Sequence, residues 1–288
     1  MAPALILAAT ITVHTAFDGG SAGPVQHVGP AHLRVGVKGD KDQNGRNRQA
    51  SWYFFEVRGA QPGQPLTIDM VDLPGEYNFK PNRGAITGDT PPLVSYDGRT
   101  WIHIDNVTYD ATEPHLRLRL TPLGPKFRIA HTPPYTNGDL ERLRRHALTH
   151  GASEEVIGTS PEGRPLLLWT IGTGSKTVWL MFRQHAWESG TSYVGEGAVH
   201  ELLRDSRGIR WKVFPMCDPD GVAHGRVRFN ARGFDLNRNW DTLDSTSMPE
   251  IAAQHAAVAK WIKSGHGIDL FLTLHNTETS EYLQGPPG

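Results

Sequence analysis

The chain has 288 residues and a formal net charge of −1, from 29 basic and 30 acidic side chains, with 38% hydrophobic residues, 31 glycines and 21 prolines. That balance gives no electrostatic basis for nucleic acid or an acidic membrane as a partner. The single cysteine, Cys217, excludes an internal disulfide and any cysteine-based zinc cluster. The length suits two domains or one large one with a proper core, and no apolar run reaches the ~18 residues of a membrane span, so a soluble protein is expected.

Residues 1–10, MAPALILAAT, are apolar and small but lack a basic stretch before them. They read as a signal-peptide remnant or a disordered start. Residues 11–132 read as an all-β unit. Short apolar or alternating runs recur there: LRVGV from Leu33, SWYFFEV from Ser51, LTIDMV from Leu66, TWIHI from Thr100 and LRLRLTPL from Leu116. GDKDQNG, QPGQP, KPNRG and YDGR separate them, and turn-rich spacers without helical period predict an antiparallel β-sandwich. In LRLRL, leucine alternates with arginine, as in a strand with one wet face.

From residue 133 the pattern changes to alternating strands and helices. Thr136 to Asp139 reads as a helix start, and the helical spacing of LERLRRHALTHG stops at Gly151. RPLLLWTIG, TVWLMFR, IRWKVFPM and IDLFLTLH read as strands. ESGTSYVGEGAVHELLR and PEIAAQHAAVAKWIKSGHG read as helices. Strands that are apolar almost throughout, alternating with helices, predict an α/β sheet covered on both faces over residues 133–288.

Three polar stations follow buried strands in this half: His185 and Glu188 in RQHAWESG, Asp235, Asn237 and Arg238 in GFDLNRNW, and His275 at the end of IDLFLTLH. In open α/β sheets, ligands sit beyond the carboxyl ends of the strands. Two neutral imidazoles and a carboxylate suffice for a catalytic zinc, with the fourth position left to water. Each station has a plain structural alternative. His-x-x-Glu can be a polar helix start, His275 a hydrogen-bonded strand end, and DLNRNW a turn with an Arg–Asp ion pair.

HAWE, DPDG at 218–221, FDLNRNW and LTLH resemble, in that order, the core motifs of the zinc metallocarboxypeptidases, the funnelins. SWYFFEVRG and PYTNGDLERL resemble the cytosolic carboxypeptidase branch, whose peptidase domain follows a β-sandwich. The resemblance spans about residues 11–288. It implies a mixed-sheet α/β/α catalytic domain that binds one Zn2+ and removes C-terminal residues from peptides or protein tails. His185, Glu188 and His275 would be the zinc ligands, and Asn237 and Arg238 would hold the substrate's terminal carboxylate. Arg228 would stabilise the oxyanion, with Arg226 and Arg232 as rivals. Asp235 would accept the second N–H of His185. It also implies a cytoplasmic protein, or a secreted or periplasmic one if residues 1–10 are a signal remnant.

Two departures accompany the resemblance. Trp187 stands where the family often has glycine or arginine. The family's general-base glutamate lies well beyond the third zinc ligand, and none of the 288 residues matches it. Glu278 and Glu281 are too close to His275. The catalytic domain therefore reads as C-terminally incomplete, and the chain as given could lack turnover. Two other functions fit parts of the pattern: a non-catalytic zinc- and peptide-binding form, and a zinc deacylase of N-acyl amino acids with a similar DLNR element.

Overall fold

The computed structural model describes residues 10–276 and 284–285. Its first half is a sandwich of two five-stranded sheets. One sheet runs, in spatial order, Thr12–His14, Phe54–Arg58, Lys126–Ala130, Leu93–Ser95 and Ile102–His103. The other runs Asn106–Asp110, His115–Leu120, Leu66–Val71, His32–Gly36 and Val25–Gly29. Pairing is antiparallel except between His32–Gly36 and Leu66–Val71, which are parallel. A small ribbon of Asp40–Lys41, Arg48–Gln49, Gly75–Tyr77 and Lys80–Asn82 stands beside the sandwich.

Period-two side-chain alternation sets what each strand buries. Leu116 and Leu118 enter the sandwich core while Arg117 turns outward and grips Asp69 on the neighbouring strand through two bonds of 2.6 and 3.0 Å. SWYFFEV is apolar on both faces because both are covered. Tyr53, Phe55 and Val57 fill the sandwich, whereas Trp52 and Phe54 pack outward against Val227 and Trp187 of the second half. TWIHI forms a strand only at Ile102 and His103; Trp101 joins that outer aromatic cluster and Ile104 the core. The strands Leu93–Ser95, Asn106–Asp110 and Lys126–Ala130 lie outside the runs that the sequence marks out.

The second half is a five-stranded mixed sheet: Ser153–Thr159, Pro165–Ile171, Ile209–Phe214, Lys176–Met181 and Leu270–Thr273. Lys176–Met181 is parallel to both of its neighbours, and the other two pairings are antiparallel. Helices α1 (Asn137–Thr149) and α2 (Ser189–Arg204) cover one face, where Leu143, Ala147 and Val199 meet Trp169, Leu180 and Phe182. A one-turn helix α3 (Pro219–Ala223) precedes the loop to α4 (Pro249–Lys263). Helix α4 covers the other face, where Val258 and Trp261 meet Trp179, Met181 and Phe214. Alternate residues of one strand thus feed two cores, which is why TVWLMF has no polar side. At α1, Thr136 caps the helix and its backbone N–H donates to Asp139 at 2.6 Å. No helix among the described residues is long and apolar enough to cross a membrane.

Candidate metal centre and carboxylate cleft

The strand Lys176–Met181 delivers Phe182 and then breaks sharply at Arg183, whose φ is +58°. A left-handed backbone at a long side chain costs roughly 1–3 kcal/mol and persists only where its surroundings enforce it. Here they do. The Arg183 side chain is fully buried beneath the turn, donating from Nε to the Ala186 carbonyl at 2.8 Å and from its terminal nitrogen to Ser192 Oγ at 3.1 Å. Burial pulls its guanidinium down to about 10, still charged at neutral pH, with the Glu188 carboxylate opposing that shift. The turn closes with Glu188 N–H donating to the His185 carbonyl at 3.2 Å, and Glu188 caps α2. His185 and Glu188 therefore project from one tight loop at the strand's carboxyl end.

Trp187, between them, points away toward the sandwich. It packs in the cluster of Trp52, Phe54, Ala130 and Val227, and its N–H donates to the Val227 carbonyl at 3.1 Å. The departure at this position anchors the His185–Glu188 turn to the β unit.

His275, just past Leu270–Thr273, arrives beside this loop from the adjacent parallel strand. His185 Nδ1 lies 2.9 Å from Glu188 Oε1, and His275 Nδ1 lies 3.1 Å from Glu188 Oε2. All three potential ligand atoms lie within 4.8 Å of one another. Bonds of 2.0–2.2 Å in a tetrahedral zinc site would separate neighbouring ligand atoms by about 3.3 Å, so the donor set fits zinc in chemistry, and its atoms, within 4.8 Å of one another, would draw together around an ion. Glu188 and His185 are each almost wholly buried. Burial opposes the charge on Glu188, yet the imidazole hydrogen bonds hold its carboxyl below the usual range.

Asp235 completes the shell. Its Oδ1 lies 3.1 Å from His185 Nε2 and its Oδ2 accepts Arg228 Nε at 2.6 Å. Against the opposing effect of burial, the His185 bond and the Arg228 charge hold this carboxyl well below the usual carboxylate range. By accepting the N–H of Nε2, Asp235 would leave Nδ1, here hydrogen-bonded to Glu188, as the nitrogen available to a metal. The Asn237 amide lies 3.3 Å from His275 Nε2, and its backbone N–H donates to Asp235 at 2.8 Å. Arg238 is exposed and donates to the Asn237 carbonyl at 2.8 Å. Arg228, Asp235 and Arg238 line a cavity of about 510 Å3, whose opposite wall is Arg46, Asn47 and Tyr77 of the β unit. Arg226 instead binds Asp40, and Arg232 is exposed outside that lining, so of the three rival arginines only Arg228 borders the cleft.

Sequence reasoning missed Asp40. Buried in the β unit, its Oδ2 accepts the backbone N–H groups of Val227, Arg228 and Phe229 at 3.3, 3.3 and 3.0 Å. It holds the segment that presents Arg228, from nearly 190 residues away in sequence. Arg183 was visible only as the first residue of RQHAWESG. Glu278, Glu281 and residues 1–9 lie outside the described residues.

Residues 148–283 match the zinc carboxypeptidase family model, and residues 13–131 match that of the cytosolic carboxypeptidase N-terminal domain. The chain belongs to the zinc metallocarboxypeptidases, with a cytosolic carboxypeptidase N-terminal domain ahead of the peptidase domain. Among its relatives, an uncharacterised protein of Zymomonas mobilis is 27% identical, over 95% of this chain and 70% of its own length. Mouse cytosolic carboxypeptidase 6 is 26% identical over 80% of this chain, which spans only 46% of that protein. A metallo-carboxypeptidase from Burkholderia cenocepacia superposes with a TM-score of 0.81 at 26% identity, covering 95% of this chain and 72% of its own. A Pseudomonas aeruginosa metallo-carboxypeptidase, solved in complex with (2-guanidinoethylmercapto)succinic acid, superposes at 0.79 with 26% identity over 93% and 70%.

Proposed function

We propose that the chain binds one zinc ion through His185, Glu188 and His275 and acts at the free C-terminus of peptides or protein tails as a metallocarboxypeptidase. The observation that carries this reading is the meeting of segments distant in sequence: the His185–Glu188–His275 group bonds to Asp235 and Asn237, and Asp235, Arg228 and Arg238 line one cleft. Bound zinc would supply a Lewis acid and a water of lowered pKa.

The chain's own residues would do the rest. Asp235 fixes the orientation of His185. Asn237 and Arg238 receive the terminal carboxylate, since a planar guanidinium takes a carboxylate through two parallel bonds and an amide adds a donor. That grip explains an exopeptidase, because only a chain end carries such a carboxylate. Arg228 would donate to the oxygen that gains charge as the peptide carbonyl is attacked. Binding is the readout that tests these residue roles directly.

The test pairs metal analysis with calorimetry. Purified protein should contain near-stoichiometric zinc, and Glu188→Gln should lose it. Arg238→Ala should weaken binding of a free-carboxylate peptide by about 10–100-fold, the value of a hydrogen bond to a charged group. The amidated peptide should respond far less. Zinc-free protein sinks the metal assignment, and an equal effect on both peptides sinks the carboxylate grip.

A further inference from the structure

Two strands of the small ribbon, Gly75–Tyr77 and Lys80–Asn82, form a hairpin whose connection is only Asn78 and Phe79. Both have positive φ, +50° and +61°, as primed two-residue hairpin turns require. Asparagine suits that conformation, but the second position normally belongs to glycine. A bulky side chain there is strained. Packing gives no reason for the phenylalanine either: Phe79 is 68% exposed and its neighbour Tyr77 60% exposed. A strained turn that holds two large aromatic rings in solvent gains nothing from the fold.

What the hairpin does have is a fixed position beside the cleft. Phe79 N–H donates to the Arg46 carbonyl at 2.8 Å, and Asn78 N–H donates to Asn47 Oδ1 at 3.0 Å. Arg46, Asn47 and Tyr77 together line the cavity whose other wall is Arg228 and Arg238. Tyr77 thus stands on the wall of the site proposed to take a peptide's last residue, and Phe79 follows two residues along the same hairpin. A cavity of about 510 Å3 holds only the end of such a peptide, so the rest must leave past one rim.

We infer that Tyr77 and Phe79 form a platform for the upstream part of the same polypeptide, taking an apolar or aromatic side chain several residues before the C-terminus. This inference rests on the carboxypeptidase reading. In that role, the β unit selects which protein tails are held, while Asn237 and Arg238 hold any free C-terminus. The exposed ring edges suit an apolar partner side chain, and offset or edge-on ring contacts add to its burial.

The test measures binding by the whole zinc-loaded chain of three free-carboxylate peptides: a blocked dipeptide, an octapeptide with leucine or phenylalanine near its N-terminus, and the same octapeptide with serine there. Wild type should prefer the apolar octapeptide over the serine one by about tenfold. Phe79→Gly relieves the backbone strain while removing the ring, so it should raise the melting temperature and still lose the preference. Tyr77→Ser should lose it in part, and Phe79→Gly should leave dipeptide binding unchanged. Equal affinity of wild type for both octapeptides, or a preference intact in both variants, overturns the platform while leaving the carboxylate site standing. Concentration-dependent self-association that the variants abolish, with peptide binding unchanged, also overturns it in favour of a second copy of the chain. Failure of wild type to bind the dipeptide refutes the carboxypeptidase reading, and the platform with it.

Discussion

Replacing Asp218 with asparagine should stabilise the protein increasingly as pH rises. Asp218 begins DPDG and caps α3, accepting the Gly221 N–H on Oδ1 at 2.8 Å. It is wholly buried, and its Oδ2 has no hydrogen-bond partner among the described residues. Burial first, and then the negative charges of Glu250, Asp40 and Asp220, push its carboxyl up to about 8, with only the Gly221 bond opposing them. The folded chain therefore keeps a proton that the unfolded chain releases near pH 4. Stability from that proton is fully present below about pH 4 and is lost as pH climbs toward 8, at about 1.4 kcal/mol per pH unit. Asp218→Asn keeps an oxygen for Gly221 and removes the ionisation. Between pH 6 and pH 8 the variant should gain on wild type by roughly 2–3 kcal/mol, or some 4–10 °C in melting temperature. Differential scanning fluorimetry at several pH values reads this directly. If the two melting temperatures run parallel across that range, Asp218 is not held protonated and the reasoning fails.

Two further substitutions probe the supports of the site. Asp235→Asn keeps the shape but weakens the anchor of His185 and Arg228, and should cost about 10–100-fold in zinc affinity by chelator competition; unchanged affinity would remove Asp235 from that role. Asp40→Ala leaves three backbone N–H groups and Arg226 without their acceptor. It should lower stability by roughly 2–5 kcal/mol in urea, and a loss under 1 kcal/mol would show that the segment holds itself.

What could be read from the chain divides along physical lines. Lys176–Met181 was legible because both of its faces are buried, which leaves the nearly unbroken apolar run TVWLMF; Ile209–Phe214 was legible from its apolar residues although Arg210 and Lys212 interrupt it. Ser153–Thr159, SEEVIGT, was not: it is an edge strand, exposed over much of its length, and its composition resembles a loop. His185 and Glu188 were legible because three-residue spacing within one turn is a local property. His275, Asn237 and Arg238 gained meaning only through their order along the chain and its likeness to a family pattern. Asp40 had no signal at all, since an aspartate in GDKDQNG looks like any turn residue and its partners lie nearly 190 residues away.

That last gap bears on how the two halves relate. The β unit is built into the candidate site at three places: Asp40 holds the Arg228 segment, Trp52 and Phe54 receive Trp187 from the His185–Glu188 turn, and Arg46, Asn47 and Tyr77 wall the cleft. A strained Arg183 alone would not keep His185 and Glu188 in register, because the energy stored in such a turn drives it to relax unless its neighbours resist. Trp187 supplies that resistance from the sandwich side and the buried Arg183 side chain from beneath. The β unit is therefore as much a support of the His185–Glu188 turn as the sheet that carries it.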